Sequence, residues 1–495
     1  VNILFATSEV VPFAKTGGLA DVSCSLPVAL SRLGKKPYVI MPAYKVALHS
    51  GLNIWPTGID FSIPIWNKTV YGSLLESRLP NSDVPVFLVL QDQYFDRDGL
   101  YNQQDEDYRD NCERFVFFSR AVLEAIRLLE LKIDILHSND WQTGLVPAYL
   151  EALYRPFPLY ENIAGVHTIH NMAYQGIFWH WDMCLTGLDW KFFTYDKMEF
   201  YGKLNLLKTG IMFAGGITTV SPTYAEEIQT PEFGCSLDGV LRFRRDSLRG
   251  ILNGVDTEHW NPATDPLIPE RYDVSNVFEK KPVCKAALQN ELGLTQNDRA
   301  PLLGIVGRLA SQKGIDLVAE VIPHWVENHN AQWAILGTGD RWLEQRLQQL
   351  AERYPKNVAV RSAFSNEIAH KIEAGSDMFV MPSRYEPCGL NQMYSLIYGT
   401  IPIVRKTGGL ADTIVHPTDE TLADHTANGF CFQHADTQGL NWAVKQAVQC
   451  YLDNRPTWEK LVRNGMQQDL SWRHSARQYL DFYEKVREKQ QTDKR

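Results

Sequence analysis

The heptapeptide Lys-Thr-Gly-Gly-Leu-Ala-Asp occurs twice in this chain of 495 residues, at 15–21 and again at 406–412. Each copy follows a short apolar run, 3–6 and 401–404, and each leads into residues able to form a helix. Strand, glycine pair and helix start together make a cradle for an anion. Glycine lets backbone approach a ligand closely, the N–H groups at a helix start point outward, and lysine adds a positive charge. Two such cradles near the two ends predict two similar domains facing one ligand. Two plain glycine turns carrying solvated lysines would read the same in sequence.

The rest of the chain alternates strand and helix signals. Apolar runs rich in β-branched residues fall at 37–41, 86–90, 133–136, 166–169 and 217–220, then at 302–306, 333–336, 358–360, 378–381 and 401–404. Helical stretches such as 112–131 and 341–353 lie between many of them. This is the pattern of an α/β chain with two doubly wound parallel sheets. The stretch 253–265, with Asn-Gly and Asn-Pro breakers, marks the crossing between halves and the expected hinge for closure on a ligand. The expected domains are 1–253, 254–470 and a terminal helix 471–495 that is amphipathic first, then charged and frayed from 488.

Composition excludes several classes. A net charge of −9 disfavours nucleic acid or anionic membrane as a partner. No run of eighteen apolar residues is present, so no membrane span is expected. Eight scattered cysteines without a CxxC pair fit a reduced compartment, the cytoplasm, or a plastid stroma if a transit peptide has been removed. No GxGxxG follows a strand and no GxxxxGK[ST] occurs, which disfavours dehydrogenases and P-loop nucleotidases. The acids Asp96, Asp98, Asp105, Glu106 and Asp107 resemble a divalent-metal cluster but read better as a solvated run. His167 and His170, three apart on a strand, point to opposite faces, so one is core and one faces the ligand. No metal and no cofactor is expected.

In open parallel sheets, ligands bind beyond the carboxyl ends of the strands. Nearly every polar cluster here falls in that place: Lys15, Asp140-Trp141, His170-Asn171, Ser221-Pro222, Gly307-Arg308, Gln312-Lys313, Phe364, 384–389 and 406–409. Lys15, Arg308 and Lys313 are cations suited to a diphosphate leaving group. Several strings together resemble the bacterial glycogen synthases and plant starch synthases. They are the first Lys-Thr-Gly-Gly-Leu-Ala-Asp-Val, Asp140-Trp141, 168–176, 252–256, 307–314 and 382–390. The resemblance runs from residue 3 to about residue 483.

That resemblance implies the GT-B fold, two Rossmann-like domains around a deep cleft, with the last helix returning to the first domain. It implies transfer of glucose from ADP-glucose to the non-reducing 4-hydroxyl of an α-1,4-glucan (glycogen, starch or maltooligosaccharide), with retention. Carried over by position, Lys15 and Gly18 form the first phosphate loop, and Arg308 and Lys313 grip the diphosphate. Lys285 matches a further donor-site lysine, with a surface helix lysine as the alternative. Asp21, Asp140 and His170 are assigned to the acceptor side. Asn253 fits a sugar contact, and Glu386 holds the glucose hydroxyls. Backbone at Cys388, Gly389 and Leu390, with Thr407 and Gly408, completes the donor site, and Phe364 stacks on adenine. Tyr394 stands eight positions after Glu386, where related transferases often have a second glutamate, so ribose is held otherwise. Catalysis is assigned to Lys15, Asp140, His170, Arg308, Lys313 and Glu386. A UDP-glucose transferase of the sucrose or trehalose type, and an idle glucan-binding homologue, are the alternatives.

Overall fold

A computed structural model describes residues 1–103 and 106–493. Asp105 of the acidic run, and Lys494 and Arg495 of the tail, lie outside the described residues. The chain divides into two compact units, Val1–Asn253 with Trp472–Arg495, and Gly254–Ser471.

The first unit is built on a nine-stranded sheet. Its strands are β1 (Asn2–Ala6), β2 (Lys36–Pro42), β3 (Trp55–Ile65), β4 (Lys68–Arg78), β5 (Pro85–Leu90), β6 (Ile135–Asn139), β7 (Ala164–Ile169), β8 (Gly216–Thr219) and β9 (Leu248–Gly250), in the spatial order β9-β8-β7-β6-β1-β2-β5-β4-β3. The seven strands from β9 to β5 run parallel, and the order reverses between β1 and β6. That reversal is the switch point, where a doubly wound sheet opens a crevice.

The expected all-parallel sheet needs one correction. β3 and β4 form an antiparallel hairpin, and β4 joins β5 antiparallel. Their sequence alternates: Phe61, Ile63 and Ile65 point inward between exposed neighbours. One face of the hairpin packs and the other meets water, as antiparallel edges allow. By contrast, β1 and β7 are buried along almost their whole length.

The second unit holds six parallel strands, β10 (Leu302–Val306), β11 (Gln332–Leu336), β12 (Val358–Arg361), β13 (Met378–Met381), β14 (Ile401–Arg405) and β15 (Phe430–Phe432). They are arranged β12-β11-β10-β13-β14-β15, with the switch point between β10 and β13. The flanking helices are amphipathic. In Arg341–Arg353, Leu343, Leu347 and Leu350 are buried at helical spacing under a charged outer face.

The tail is two helices, Arg455–Met466 and Trp472–Asp493, and the second continues to Asp493, past residue 488, the expected start of fraying. Trp472, Ala476, Tyr479, Tyr483 and Val486 are buried at spacings of three and four. This face packs on the first unit. The Tyr483 hydroxyl meets His137 Nδ1 at 2.7 Å, Arg487 pairs with Asp134 at 3.1 Å, and Ser475 donates to the Leu252 carbonyl at 2.5 Å. A Cβ on Gly216 would lie 2.5 Å from Val486, so glycine sets how closely helix and sheet approach.

Candidate active site

In the first unit, the loops after β1, β6 and β7 meet at the switch point. β1 ends at Ala6, and the chain runs through Glu9 before reaching Lys15, so the heptapeptide does not follow its strand directly. Glu9 organises the loop. Its carboxylate accepts from the Thr16 N–H at 2.5 Å, the Thr16 hydroxyl at 2.6 Å, the Gly17 N–H at 3.2 Å and the Tyr101 hydroxyl at 2.7 Å. Two N–H groups expected to face a ligand are therefore held by a buried side chain. What the loop presents outward is Lys15, paired with Asp21 at 2.8 Å, and the exposed Gly17 and Gly18, where an added Cβ would meet nothing within 4 Å. The loop therefore offers fewer outward N–H groups than its sequence implies.

Asp140 follows β6 with φ of 55° and ψ of −175°, a strained backbone conformation that residues with a side chain seldom adopt. Its Oδ1 accepts the His170 backbone N–H at 2.7 Å. The His170 ring lies beside Asn139, with Nε2 2.9 Å from Asn139 Oδ1, while Asn139 Nδ2 donates to the Ala6 carbonyl. With the amide so oriented, Nε2 carries the proton and Nδ1 is left as an acceptor. Burial holds the imidazole down at about 3, so it is neutral across the physiological range. His167 belongs to the core: it is fully buried, with Nδ1 2.8 Å from the Ser138 hydroxyl.

Burial pushes the Asp140 carboxyl up to about 7, against the opposing pull of the His170 and Asn171 N–H groups, and Glu9 raises it further. The folded protein thus binds this proton more tightly than the unfolded chain, whose carboxyl titrates near 3.9. Stability is lost as pH rises between those values, and the whole penalty is present above about pH 7. Asp140→Asn cannot ionise and keeps an oxygen for the His170 N–H. Its melting temperature is expected to exceed that of the parent at pH 8, with the gain shrinking toward pH 4, while activity falls. Melting curves across that range check the sign.

In the second unit, Gly307-Arg308 follows β10, and the turn Ser311–Lys313 ends at Gly314, which has a φ of 69° and where an added Cβ would lie 2.2 Å from the Pro382 carbonyl oxygen. Arg308 Nη2 donates to Gln312 Oε1 at 2.8 Å. Gln312 ties this loop to the one after β13: its Nε2 donates to the Tyr385 carbonyl at 3.0 Å, and its own carbonyl accepts from the Arg384 N–H at 2.8 Å. Arg384 then forks onto Asp316, with both contacts at 2.7 Å. So anchored, Lys313 Nζ lies 2.6 Å from Glu386 Oε2, which also accepts from the Ser383 hydroxyl at 2.9 Å. Glu386 is 5% exposed. One cation and one buried carboxylate share the floor of the crevice, with Arg308 at its rim.

The second heptapeptide is used differently from the first. Thr407 and Gly408 to Leu410 are buried, and Gly409 N–H donates to the Glu386 and Pro387 carbonyls at 3.2 Å. A Cβ on Gly408 would lie 2.0 Å from the Glu386 carbonyl oxygen, and one on Gly409 2.1 Å from that of Cys388. These glycines form the bed on which the loop carrying Glu386, Cys388, Gly389 and Leu390 rests. Phe364, after β12, is 89% exposed. Tyr394 stacks on Trp260 at 3.9 Å, and Trp260 stacks in turn on His370 at 3.8 Å. Asn253, the last residue of the first unit before Gly254, is buried.

Lys285 leaves the set. Its Nζ is enclosed by Asp377 Oδ2 at 2.7 Å, the Ala300 and Asp298 carbonyls at 2.7 and 3.0 Å, and the Tyr451 hydroxyl at 3.1 Å. Asp377 and Ala300 precede β13 and β10, which places this lysine at the amino ends of the strands, opposite the ligand edge. It is neither a donor contact nor a surface residue. Asp98 pairs with Lys45 and Asp110 with Arg97, and no group of three His, Cys, Asp or Glu side chains suited to a metal ion occurs among the described residues. No helix among them is long and apolar enough to cross a membrane.

Residues 2–243 match the starch synthase catalytic domain family, and residues 292–468 match the glycosyl transferases group 1 family. The glycogen synthase of Rhodopirellula baltica is 46% identical over 493 residues, 98% of this chain and 97% of that one. The chain belongs to the glycogen and starch synthase family. The glycogen synthase of Thermotoga maritima is 44% identical over 490 residues, covering 98% of this chain and 99% of its own. Among solved structures, the catalytic domain of starch synthase IV from Arabidopsis thaliana, bound to ADP and acarbose, matches with a TM-score of 0.90 and 33% identity, over 98% of this chain and 99% of that one. Sucrose-phosphate synthase from Thermosynechococcus elongatus shares the fold, at a TM-score of 0.58 and 18% identity. As a member of this family the chain is a glycosyltransferase that moves hexosyl units. Gln312 and Ser383, which help orient the charged residues here, lie inside the strings 307–314 and 382–390 without a role of their own being legible, while Glu9, after β1, and Asn139, at the end of β6, lie outside those strings.

Proposed function

We propose that this chain lengthens α-1,4-glucans by transferring glucose from ADP-glucose to a non-reducing 4-hydroxyl, with retention. The observation that carries the proposal is the Lys313–Glu386 pair at the switch point of the second unit, with Arg308 beside it. A cation next to a buried carboxylate suits a glycosyl phosphate: the carboxylate takes sugar hydroxyls, and the ammonium takes the phosphate joined to the anomeric carbon. As the bond from that carbon to the phosphate oxygen breaks, negative charge grows on ADP, and Arg308 and Lys313 stabilise it where it develops. Lys15 adds charge from the first phosphate loop. The acceptor 4-hydroxyl attacks from the face that the phosphate leaves, and its proton passes to the departing phosphate. Neutral His170, with Nδ1 as acceptor, and Asp140 orient sugar hydroxyls for that step. Phe364 covers adenine in this reading, which its exposure after β12 supports.

Radiolabelled ADP-glucose and UDP-glucose, each offered with glycogen, test the reading. Incorporation from ADP-glucose by at least an order of magnitude over UDP-glucose is expected. A reversed preference favours the sucrose or trehalose type, and no incorporation from either favours an idle binding protein. Since lysine and arginine supply the positive charge, activity is expected to persist in excess chelator. Loss on chelation and recovery with magnesium or manganese would refute that part.

A further inference from the structure

The largest unexplained feature lies in the first unit between residues 174 and 201. Seven of the twenty large apolar side chains exposed among the described residues fall in this short stretch: Tyr174, Ile177, Trp179, Trp181, Trp190, Tyr195 and Tyr201. Single exposed apolar residues are ordinary, but a cluster marks a binding surface. These rings also touch one another. Trp179 meets Trp181 at 6.4 Å, Trp181 meets Trp190 at 5.6 Å, and Trp190 meets Phe193 at 5.5 Å. The ribbon continues inward as well. Trp179 follows Phe178, whose ring lies 5.8 Å from Trp141, the residue after Asp140. Phe178 and Ile177 are pinned by antiparallel pairing to Leu204 and Asn205.

The ribbon is not greasy throughout. Asp189 and Lys191 stand exposed beside Trp190, with Lys191 Nζ 3.9 Å from Asp189 Oδ2, and Tyr195 and Tyr201 carry hydroxyls. Aromatic faces with polar groups at their edges suit a ligand whose own faces are C–H and whose rim is hydroxyl. A glucan is that ligand. We infer that the ribbon from Trp179 to Phe193 binds a stretch of α-1,4-glucan, holding the polymer whose chain end is used at the Asp140–His170 rim. This rests on the glucan-acceptor reading above. It adds a platform that grips polymer rather than the reacting sugar, so long acceptors should depend on it and short ones should not.

The test is Trp179→Ala/Trp181→Ala/Trp190→Ala, compared with the parent by native electrophoresis in gels containing glycogen and by kinetics on glycogen and on maltotriose. Glycogen is expected to retard the variant far less and its KM for glycogen to rise about 10-fold. Its maltotriose and ADP-glucose kinetics should stay within about two-fold of the parent. Trp181→Phe, which keeps a ring, should retain most of the binding. Unchanged retardation and unchanged KM for glycogen would overturn the inference, as would equal losses on maltotriose and glycogen. A parent that dimerises through the ribbon, and a variant that sediments as a monomer with unaltered glycogen binding, would assign the surface to a second copy instead. If the triple variant does not fold, Trp179→Ala alone, at a side chain 62% exposed, carries the comparison. Gel retardation reads the ribbon even if the parent transfers no glucose, so failure of the proposed activity is seen separately.

Discussion

Replacing Arg308 or Lys313 by alanine is expected to lower kcat on the order of 10²-fold or more, with little change in affinity for glycogen. Both cations act on charge that grows as the bond to ADP breaks, so their loss falls on the transition state. The two variants should differ in a second respect. Arg308 donates to Gln312 across an accessible rim, and its removal leaves other polar partners within reach of water. Lys313 neutralises Glu386, which is 5% exposed, and its removal leaves a buried carboxylate without its paired ammonium, although the Ser383 hydroxyl remains. Stranding a buried charge is costly. Lys313→Ala should therefore also lower the melting temperature, and Lys313→Ala/Glu386→Gln should recover stability without recovering activity. Kinetics with labelled donor, beside melting curves of the three variants, check both statements. A near-normal kcat in either single variant would show that the diphosphate is held elsewhere.

The same residues show how far sequence reasoning reaches. β10, β13 and Arg341–Arg353 are legible to the residue because local pattern decides them: an apolar run buried on both faces, or leucines at helical spacing. The β3–β4 hairpin is harder to see. Its alternation is present at Phe61, Ile63 and Ile65, but Pro56, Gly58, Pro64 and Gly72 read as breakers. The rim cations are legible through their strings and their places after strands. Lys285 is not, because its partner Asp377 is 92 residues away and nothing local reports that the side chain turns inward. Glu9 is missed for the converse reason. A lone glutamate three residues past a strand carries no pattern, yet it takes the N–H groups that the glycine motif was expected to offer.

The two identical heptapeptides give the sharpest test, since one string serves two physical purposes. At Gly18 an added methyl meets nothing, and the residue begins a helix, where alanine is favoured over glycine by roughly 0.5–1 kcal/mol. Gly18→Ala should thus keep or raise the melting temperature. Activity should still fall, because the methyl stands where the phosphates approach. At Gly409 the methyl would lie 2.1 Å from the Cys388 carbonyl oxygen, and at Gly408, with φ of 42°, 2.0 Å from that of Glu386. Backbone must move, at a cost of about 1–3 kcal/mol, and what moves is the loop holding Glu386. Gly408→Ala and Gly409→Ala should each lower the melting temperature by roughly 5 °C and raise KM for ADP-glucose as well as lowering kcat. The lysines should divide the same way: Lys15→Ala removes a charge from an open loop and should impair chemistry strongly. Lys406→Ala should do less, since Arg308 and Lys313 already serve that rim. These five glycine and lysine variants, measured by melting curves and by kinetics, decide the matter. Equal stability losses at Gly18 and Gly409, with equal activity losses for Lys15 and Lys406, would mean that the copies do one job.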